Sequence, residues 1–162
     1  MNYRRIFWDG YSYYFTLVTH RREPLLIEHI TLLRDAFRRS KQRYDYHIDA
    51  IVILPDHIHM ILTPKIATEY PKIIRDIKRS FVYGLRSETK KLAKQSLGAK
   101  KYARSHAGIW QERYYEHTIR NEQDYQNILQ YMQHNPIKHG YVQDPNEWIY
   151  SSFNHQKLTH GS

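Results

Sequence analysis

The feature that most constrains the fold of this chain is an apolar stretch, residues 51–62, interrupted only by a Pro-Asp pair and by His57 and His59. Short apolar runs rich in β-branched residues form strands, and a Pro-Asp pair between two such runs marks a tight connection. The stretch therefore predicts two neighbouring antiparallel strands, Tyr46 to Leu54 and His57 to Thr63. Successive side chains of a strand point to opposite faces, so the two histidines would project from one face of the sheet.

The rest of the chain predicts an α+β fold, an antiparallel β-sheet flanked by α-helices. Aromatic and β-branched residues mark two more strands, and apolar residues at helical spacing mark three helices, the last of which we expect Pro136 to end. A basic stretch with little apolar periodicity is expected to be a mobile loop, either solvated or ordered on nucleic acid. The other predicted elements are a strand at Tyr11 to Thr19, helices at Glu28 to Arg43 and Tyr70 to Leu85, the loop at Ser87 to Gly108, a strand at Trp110 to Ile119, and a helix at Glu122 to Asn135 that follows Asn121 as N-cap.

The charge of the chain indicates a polyanionic partner. The 162 residues carry a formal net charge of +9 and include 15 tyrosines and 3 tryptophans. Lys and Arg neutralise phosphates while aromatic rings stack on unpaired bases, so we expect nucleic acid as the partner. A basic protein without such a partner, or one that meets anionic lipid, is the alternative.

Several classes of protein are excluded by what the sequence lacks. It contains no cysteine, which excludes disulfides, thiolate zinc sites and cysteine nucleophiles. No apolar run approaches the roughly 18 residues that a membrane span needs, and residues 1–5 lead into no signal-type apolar core. We therefore expect one soluble domain over residues 1–162, with no membrane partner, in the cytoplasm and associated with the nucleoid.

His57 and His59 are candidate metal ligands, because neutral imidazole binds divalent metals and a strand holds side chains rigidly. In the last predicted helix, Tyr131 lies at the edge of the apolar stripe and Asn135 follows one turn later on the same side. The amide oxygen of Asn135 suits Mg²⁺ or Mn²⁺. The alternatives are that the histidines line the polar face of a strand, that Tyr131 is a boundary aromatic and that Asn135 caps the helix.

Four motifs in a fixed order resemble a known family. They are Leu54–His59 (LPDHIH), Trp110–His117 (WQERYYEH), Ile119–Glu122 (IRNE) and Tyr131–Gly140 (YMQHNPIKHG). Together they resemble the single-tyrosine HUH transposases of bacterial insertion sequences, and most of all the branch called REP-associated tyrosine transposases. The resemblance implies an antiparallel sheet flanked by helices in a ferredoxin-like or RRM-like arrangement, which agrees with the predicted order of elements.

The resemblance also implies a chemistry and the residues that perform it. It implies that His57, His59 and Asn135 bind a divalent cofactor, Mg²⁺ or Mn²⁺, and that Tyr131 is the nucleophile. The insertion-sequence members proper commonly have Gln where Asn135 stands, and Asn keeps the amide oxygen on an arm one methylene shorter. The implied reaction is cleavage of single-stranded DNA near a hairpin through a 5′-phosphotyrosine intermediate, followed by transfer of the strand to another 3′-OH.

Other functions and details stay open from the sequence. The alternatives are a hairpin-binding or REP-binding protein that does not cleave, a replication initiator or relaxase, and a metal-dependent nuclease that forms no tyrosyl adduct. Asp56, Glu116, His117 or a metal-bound hydroxide could accept the tyrosine proton. We expect a monomer, with a homodimer as the alternative. The candidate DNA-binding residues are Arg4, Arg5, Arg21, Arg22, Lys72, Arg75, Lys78, Arg79, Arg104 and Arg113.

Overall fold

The computed structural model describes residues 7–95 and 108–154, with the backbone alone for residues 89–95. Its strands form one antiparallel sheet in the order β2-β3-β1-β4. The element order and strand order are those of a ferredoxin-like fold followed by one further helix, so the predicted α+β fold is confirmed. The elements are β1 (Tyr13–Val18), α1 (Ile30–Arg43), β2 (Tyr46–Ile53), β3 (His57–Pro64), α2 (Tyr70–Gln95), β4 (Tyr115–Thr118) and α3 (Glu122–Lys138), with 3-10 turns at His20–Arg22, Ala67–Glu69 and Pro145–Glu147.

One face of the sheet packs against α1 and α2. Alternate residues of β1 and β3 point to this face, because successive strand side chains alternate. They form one apolar cluster with the buried faces of the two helices, and burial of that apolar surface is the main stabilising term. The members with no exposed surface are Tyr13, Phe15, Leu26, Leu33, Ile58, Met60, Leu62, Tyr70, Ile73, Ile74, Ile77 and Phe81.

The opposite face of the sheet packs against α3 and the segment that follows it. Its cluster includes Tyr14 of β1, Val52 of β2, Ile61 of β3 and Met132 of α3. His57 and His59 point to this face, since they alternate with Ile58 and Met60 along β3. The register pairs Thr16 with His59 and Val18 with His57, so the histidines lie in the centre of the sheet beside β1.

The structure corrects three predicted boundaries. The first is α2, which continues to Gln95 and so includes the start of the predicted loop. Residues 87–95 are mostly Lys, Glu, Leu, Ala and Gln, which favour a helix even without an apolar stripe. Residues 96–107, the rest of that predicted loop, lie outside the described residues.

The second correction concerns the strand predicted from Trp110 to Ile119, of which only Tyr115–Thr118 pairs as β4. Trp110 forms an isolated bridge with Thr19, while its indole packs on Phe81 and donates to the Lys78 carbonyl at 3.2 Å. The segment that begins at Trp110 therefore packs against α2 before the chain joins the sheet as β4.

The third correction concerns Pro136, which lies inside α3 and does not end it. Proline removes only its own N–H donor. The helix ends two residues later, at Lys138, and the carbonyls of Asn135 and Pro136 still accept from His139 and Tyr141. The predicted N-terminus is confirmed, because the Asn121 side chain accepts from the Asp124 amide at 2.8 Å.

Candidate active site

His57 and His59 form the floor of the candidate site. Each is only 4% exposed, and their ring centroids lie 4.8 Å apart. They are two residues apart on β3, with β1 and β2 on either side, so the sheet fixes their backbone positions. Two imidazoles held this closely on a rigid strand could serve as a preformed pair of nitrogen ligands.

The Nδ1 atom of each histidine is held by a neighbouring polar group. His57 Nδ1 donates to an Asp56 carboxylate oxygen at 2.6 Å. His59 Nδ1 lies 2.7 Å from the Tyr14 hydroxyl and 3.0 Å from the Thr16 hydroxyl. The Asp56 carboxylate can only accept, so it places the proton of His57 on Nδ1 and leaves Nε2 as an acceptor. The two hydroxyls fix the orientation of the His59 ring, and with its proton on Nδ1 the Nε2 of His59 would likewise be an acceptor.

The Nε2 atom of His57 faces Asn135 of α3. His57 Nε2 lies 3.4 Å from the Asn135 side-chain oxygen, and Asn135 is 1% exposed. Among the described residues, His59 Nε2 and the Asn135 side-chain nitrogen are buried without a hydrogen-bond partner. A buried acceptor without a partner costs free energy, so its retention here fits a site built to receive a cation.

Tyr131 stands beside this triad, one turn before Asn135 on α3. Its ring centroid lies 5.5 Å from that of His59, and the side chain is 45% exposed. The Lys138 ammonium lies 5.3 Å from the centre of the Tyr131 ring. The phenol is therefore reachable from solvent while its position is fixed by a helix and flanked by a positive charge.

Burial controls the ionisation of the inner groups. Burial, reinforced by the nearby charges of His57 and His139, lowers the pKa of His59 to about 3. Burial also raises the pKa of Tyr14 to about 12. Both groups are consequently neutral near pH 7, which His59 must be in order to act as a ligand.

The outer rim of the site carries a small network of charges. Arg22 adopts a left-handed conformation, with φ of 53°, and its guanidinium lies 3.4 Å from the Asp56 carboxylate. Burial alone would raise the pKa of Asp56, but its hydrogen bond with His57 and the charges of His57 and Arg22 outweigh this and lower it. Asp56 is therefore an ionised group that orients His57. The His139 ring, 5.1 Å from that of His57, has a pKa lowered by burial and by His57.

Most of these groups, although not Asp56 or the buried Asn135, line one open groove of about 730 Å³ between the sheet and α3. The cations Arg22 and Lys138 lie at its histidine end, where they would attract a phosphate. The lining residues are Tyr14, Thr16, Val18, Arg22, His57, His59, Tyr115, His117, Asp124, Asn127, Ile128, Tyr131, Lys138 and His139.

A family model described as "Transposase IS200 like" matches residues 8–135, which span every group of the site up to Asn135. The chain belongs to the IS200-like transposase family. This confirms the resemblance that the four motifs predicted.

Named relatives place this transposase near one branch of the family. The REP-associated tyrosine transposase of Escherichia coli is 33% identical over 161 residues, covering 98% of this chain and 86% of that protein. A Haemophilus influenzae protein assigned to the same group is 40% identical over 154 residues, covering 94% and 85%. A solved REP-associated tyrosine transposase, bound to a REP hairpin, superposes with a TM-score of 0.78 at 31% identity, covering 99% of this chain and 87% of that one.

The predicted DNA-binding residues of the transposase fall into separate places. Arg22 lines the groove, and its neighbour Arg21 is exposed in the same 3-10 turn. The exposed Arg113 precedes β4. Arg4, Arg5 and Arg104 lie outside the described residues. Lys72, Arg75, Lys78 and Arg79 are on α2, on the opposite side of the sheet from the groove.

Lys78 differs from its neighbours on α2. It is half-buried, and its ammonium donates to the Gln111 carbonyl at 3.0 Å. Burial lowers the pKa of Lys78. Lys72, Arg75 and Arg79 are exposed. The three exposed cations can therefore reach a phosphate, whereas Lys78 already has a structural role.

The candidate proton acceptors are also separated by the fold. Glu116 accepts from the Tyr70 hydroxyl and so points to the α1–α2 face, away from Tyr131. His117 and Asp56 both lie on the groove side, but each is engaged, with Asp124 and with His57 respectively.

Sequence reasoning missed Tyr14, Thr16, Lys138 and His139 as parts of the site. Tyr14 and Thr16 are two residues apart on a predicted strand, which would place them on one face of the sheet. Their contact with His59 depends on the register between β1 and β3, and the local sequence does not specify that register. Lys138 and His139 were outside the predicted helix because Pro136 was expected to end it. No helix in the described part of the chain is long and apolar enough to cross a membrane.

Proposed function

We propose that this transposase cuts and rejoins single-stranded DNA beside a hairpin, through a covalent bond between Tyr131 and a 5′ phosphate. The observation that carries the proposal is the placement of Tyr131, which is exposed and whose ring centroid lies 5.5 Å from that of His59. His59 Nε2 is buried without a partner among the described residues, and the neighbouring His57 Nε2 lies 3.4 Å from the Asn135 side-chain oxygen. The relatives named REP-associated tyrosine transposases, one of them solved with a REP hairpin, support hairpin DNA as the substrate.

The proposal includes a divalent cofactor, Mg²⁺ or Mn²⁺, held by His57, His59 and Asn135. In the described part of the chain, no group of three His, Cys, Asp or Glu is placed to hold a metal, so the site depends on the Asn135 amide oxygen as third ligand. When bound, such an ion polarises the scissile phosphate and offsets the charge that develops on the leaving oxygen. Three protein ligands would leave positions open for the substrate.

The chain itself supplies the nucleophile and its surroundings. The Tyr131 hydroxyl oxygen forms a bond to phosphorus and the bond from phosphorus to the 3′ oxygen breaks. The phenolic proton is released, and the leaving 3′ oxygen takes up one proton. Lys138 and Arg22 add positive charge where the phosphate oxygens would lie. The products are a 5′-phosphotyrosine and a free 3′-OH.

The covalent link explains how a strand can be rejoined without an external energy source. Attack of another 3′-OH on the phosphotyrosine restores a phosphodiester and releases Tyr131, so the number of phosphoester bonds is conserved. A hydrolytic nuclease would instead lose the bond to water. We propose a monomer as the acting species, with a homodimer as the alternative.

The test uses hairpin oligonucleotides with single-stranded flanks, labelled at either end of the cleaved strand. With Mg²⁺ or Mn²⁺, label 3′ of the break should migrate with the protein in denaturing gels and label 5′ of it should be freed. Chelator should stop the reaction. Binding without cleavage would indicate a silent hairpin-binding protein, and cleavage with both labels freed would indicate a hydrolytic nuclease.

A further inference from the structure

We infer that the groove contains, beyond Tyr131, a subsite that binds one unpaired nucleobase next to the scissile phosphate. The subsite is formed by Tyr115, His117, Asp124 and Asn127, which line the same groove as Tyr131. This inference rests on the proposed function, because it assigns a place to the nucleotide that flanks the cleaved bond.

The strand register connects the subsite with the reacting centre. Tyr115 pairs with Thr16 and His117 pairs with Tyr14. Thr16 and Tyr14 are the two residues whose hydroxyls contact His59 Nδ1. A continuous row of side chains therefore crosses the sheet from His59 on β3 to the edge strand β4.

Tyr115 supplies an aromatic surface for stacking. Its side chain is 59% exposed, although its ring meets the ring of Tyr14 edge-on, with centroids 6.0 Å apart and an interplanar angle of 70°. The contact with Tyr14 restrains the ring and leaves most of its surface accessible. Exposed aromatic rings beside a cationic groove are the usual stacking platforms for unpaired bases.

His117 and Asn127 supply groups that can read the edge of a base. His117 Nε2 lies 2.7 Å from an Asp124 carboxylate oxygen, and that oxygen also accepts from the Arg120 amide at 3.2 Å. The Asp124 contact orients the His117 ring, which has no other hydrogen bond among the described residues. Asn127, one turn after Asp124, is exposed; its side-chain oxygen accepts from the Gln123 amide at 2.9 Å, which leaves its NH₂ group to donate to a base. Paired polar groups at fixed positions are how proteins distinguish base edges.

The distribution of charge along the groove indicates which part of the nucleotide lies at each end of the groove. Along α3, Asp124 and Tyr131 are seven residues apart, about 10 Å along the axis. Arg22 and Lys138 lie at the histidine end and would hold the phosphate, whereas the carboxylate of Asp124 would repel one. The uncharged aromatic base, rather than a second phosphate, is therefore the group that fits beside Tyr115.

The first experiment measures base preference directly. A pool of hairpin oligonucleotides with randomised flanks is reacted with the protein, and the strands that form covalent adducts are sequenced. For wild type we expect a preference at a position next to the break. Tyr115→Ala should lower the adduct-forming rate at low DNA concentration about tenfold, and Tyr115→Phe should restore it. His117→Ala and Asn127→Ala should flatten the preference at that position alone.

The second experiment detects stacking without cleavage. In a Tyr131→Phe background, an oligonucleotide with 2-aminopurine at the preferred position should lose fluorescence on binding, and adding Tyr115→Ala should abolish that loss. The matched control is Tyr83→Ala, which removes an exposed ring on the other side of the sheet and should leave the fluorescence loss unchanged. Thermal melting of His117→Ala measures how much stability is lost with the contact between β4 and α3. A variant that melts like wild type but has lost its base preference has lost base recognition alone.

Failures of the two proposals can be told apart. If wild type forms no adduct with any strand of the pool, the proposed function is wrong and this inference falls with it. If adducts form but Tyr115→Ala keeps both the wild-type rate and the fluorescence loss, only the subsite is wrong. If His117→Ala remains folded with its base preference intact, the pair with Asp124 only ties β4 to α3.

Discussion

His59 of β3 and Tyr131 of α3 face each other across the groove, with ring centroids 5.5 Å apart and an interplanar angle of 77°. The two residues lie far apart in the sequence, and the sheet and α3 bring them together. On the other side of His59, Nδ1 is held by the hydroxyls of Tyr14 and Thr16. Tyr131 therefore lies beside the one ring whose outward nitrogen, Nε2, is buried without a partner among the described residues.

Tyr14→Phe should weaken metal binding while leaving the fold intact. The change removes the hydroxyl that orients His59, and loss of such an outer contact typically costs about 10-fold to 100-fold in metal affinity or activity. Calorimetric titration with Mn²⁺ measures the effect. Tyr11→Phe, which changes a tyrosine outside the groove, is the control and should bind as wild type does. Equal affinity in the two variants would mean that the hydroxyl of Tyr14 does not support a metal ligand.

His57→Ala and His59→Ala should each stop DNA cleavage and weaken Mn²⁺ binding, since each removes one of the three proposed protein ligands. Both proteins should still fold, because the sheet and its two apolar clusters hold β3 without a metal. Circular dichroism melts and calorimetry measure the two properties separately. Undiminished cleavage by wild type in chelator would contradict the metal site.

Arg75→Gln combined with Arg79→Gln should flatten the dependence of log affinity on log salt by about 1 to 2, if the hairpin reaches α2 as the basic face predicts. All DNA sequences should be weakened alike, because phosphate contacts position without specifying. The cleavage rate at saturating DNA should not change, since both residues lie across the sheet from Tyr131. An unchanged salt slope would place the DNA on the groove face alone.

Phe81→Ala should destabilise the protein by about 3 to 5 kcal/mol, because it leaves a cavity in the cluster between α2 and the sheet. Phe81 is fully buried and packs on Trp110. Tyr83→Ala, two residues away and 69% exposed, should change the free energy of unfolding by no more than about 0.5 kcal/mol. Urea denaturation of both variants tests this assignment of the core.

Local pattern was sufficient to predict β1, β2 and β3 and the face of the sheet that carries the histidines. The alternation of His57, Ile58 and His59 could be interpreted without knowledge of any partner strand. The end of α3 was predicted wrongly because we treated Pro136 as a proline in a helix interior, which would break the helix. Pro136 instead lies in the last turn of α3, where it costs one hydrogen bond. The extension of α2 was missed because apolar periodicity was weighed above the helix propensity of residues 87–95.

The groups that hold the site histidines in place could not be predicted, because their positions depend on contacts between distant parts of the chain. Tyr14 and His59 are 45 residues apart in the chain. Their contact follows from the pairing of β1 with β3, which no local pattern specifies. The motif resemblance indicated Tyr131 and Asn135 together with the histidines, and the structure adds the hydroxyls and charges that surround them.

Identification of the residue that carries the DNA tests the central claim most directly. Wild-type protein is reacted with a hairpin oligonucleotide and Mn²⁺, digested with trypsin and nuclease, and analysed by tandem mass spectrometry, with Tyr131→Phe in parallel. The account predicts a nucleotide attached through a 5′ phosphate to Tyr131 in wild type and no adduct in the variant. An adduct on another residue, such as Tyr125, or an undiminished adduct in Tyr131→Phe, would contradict it.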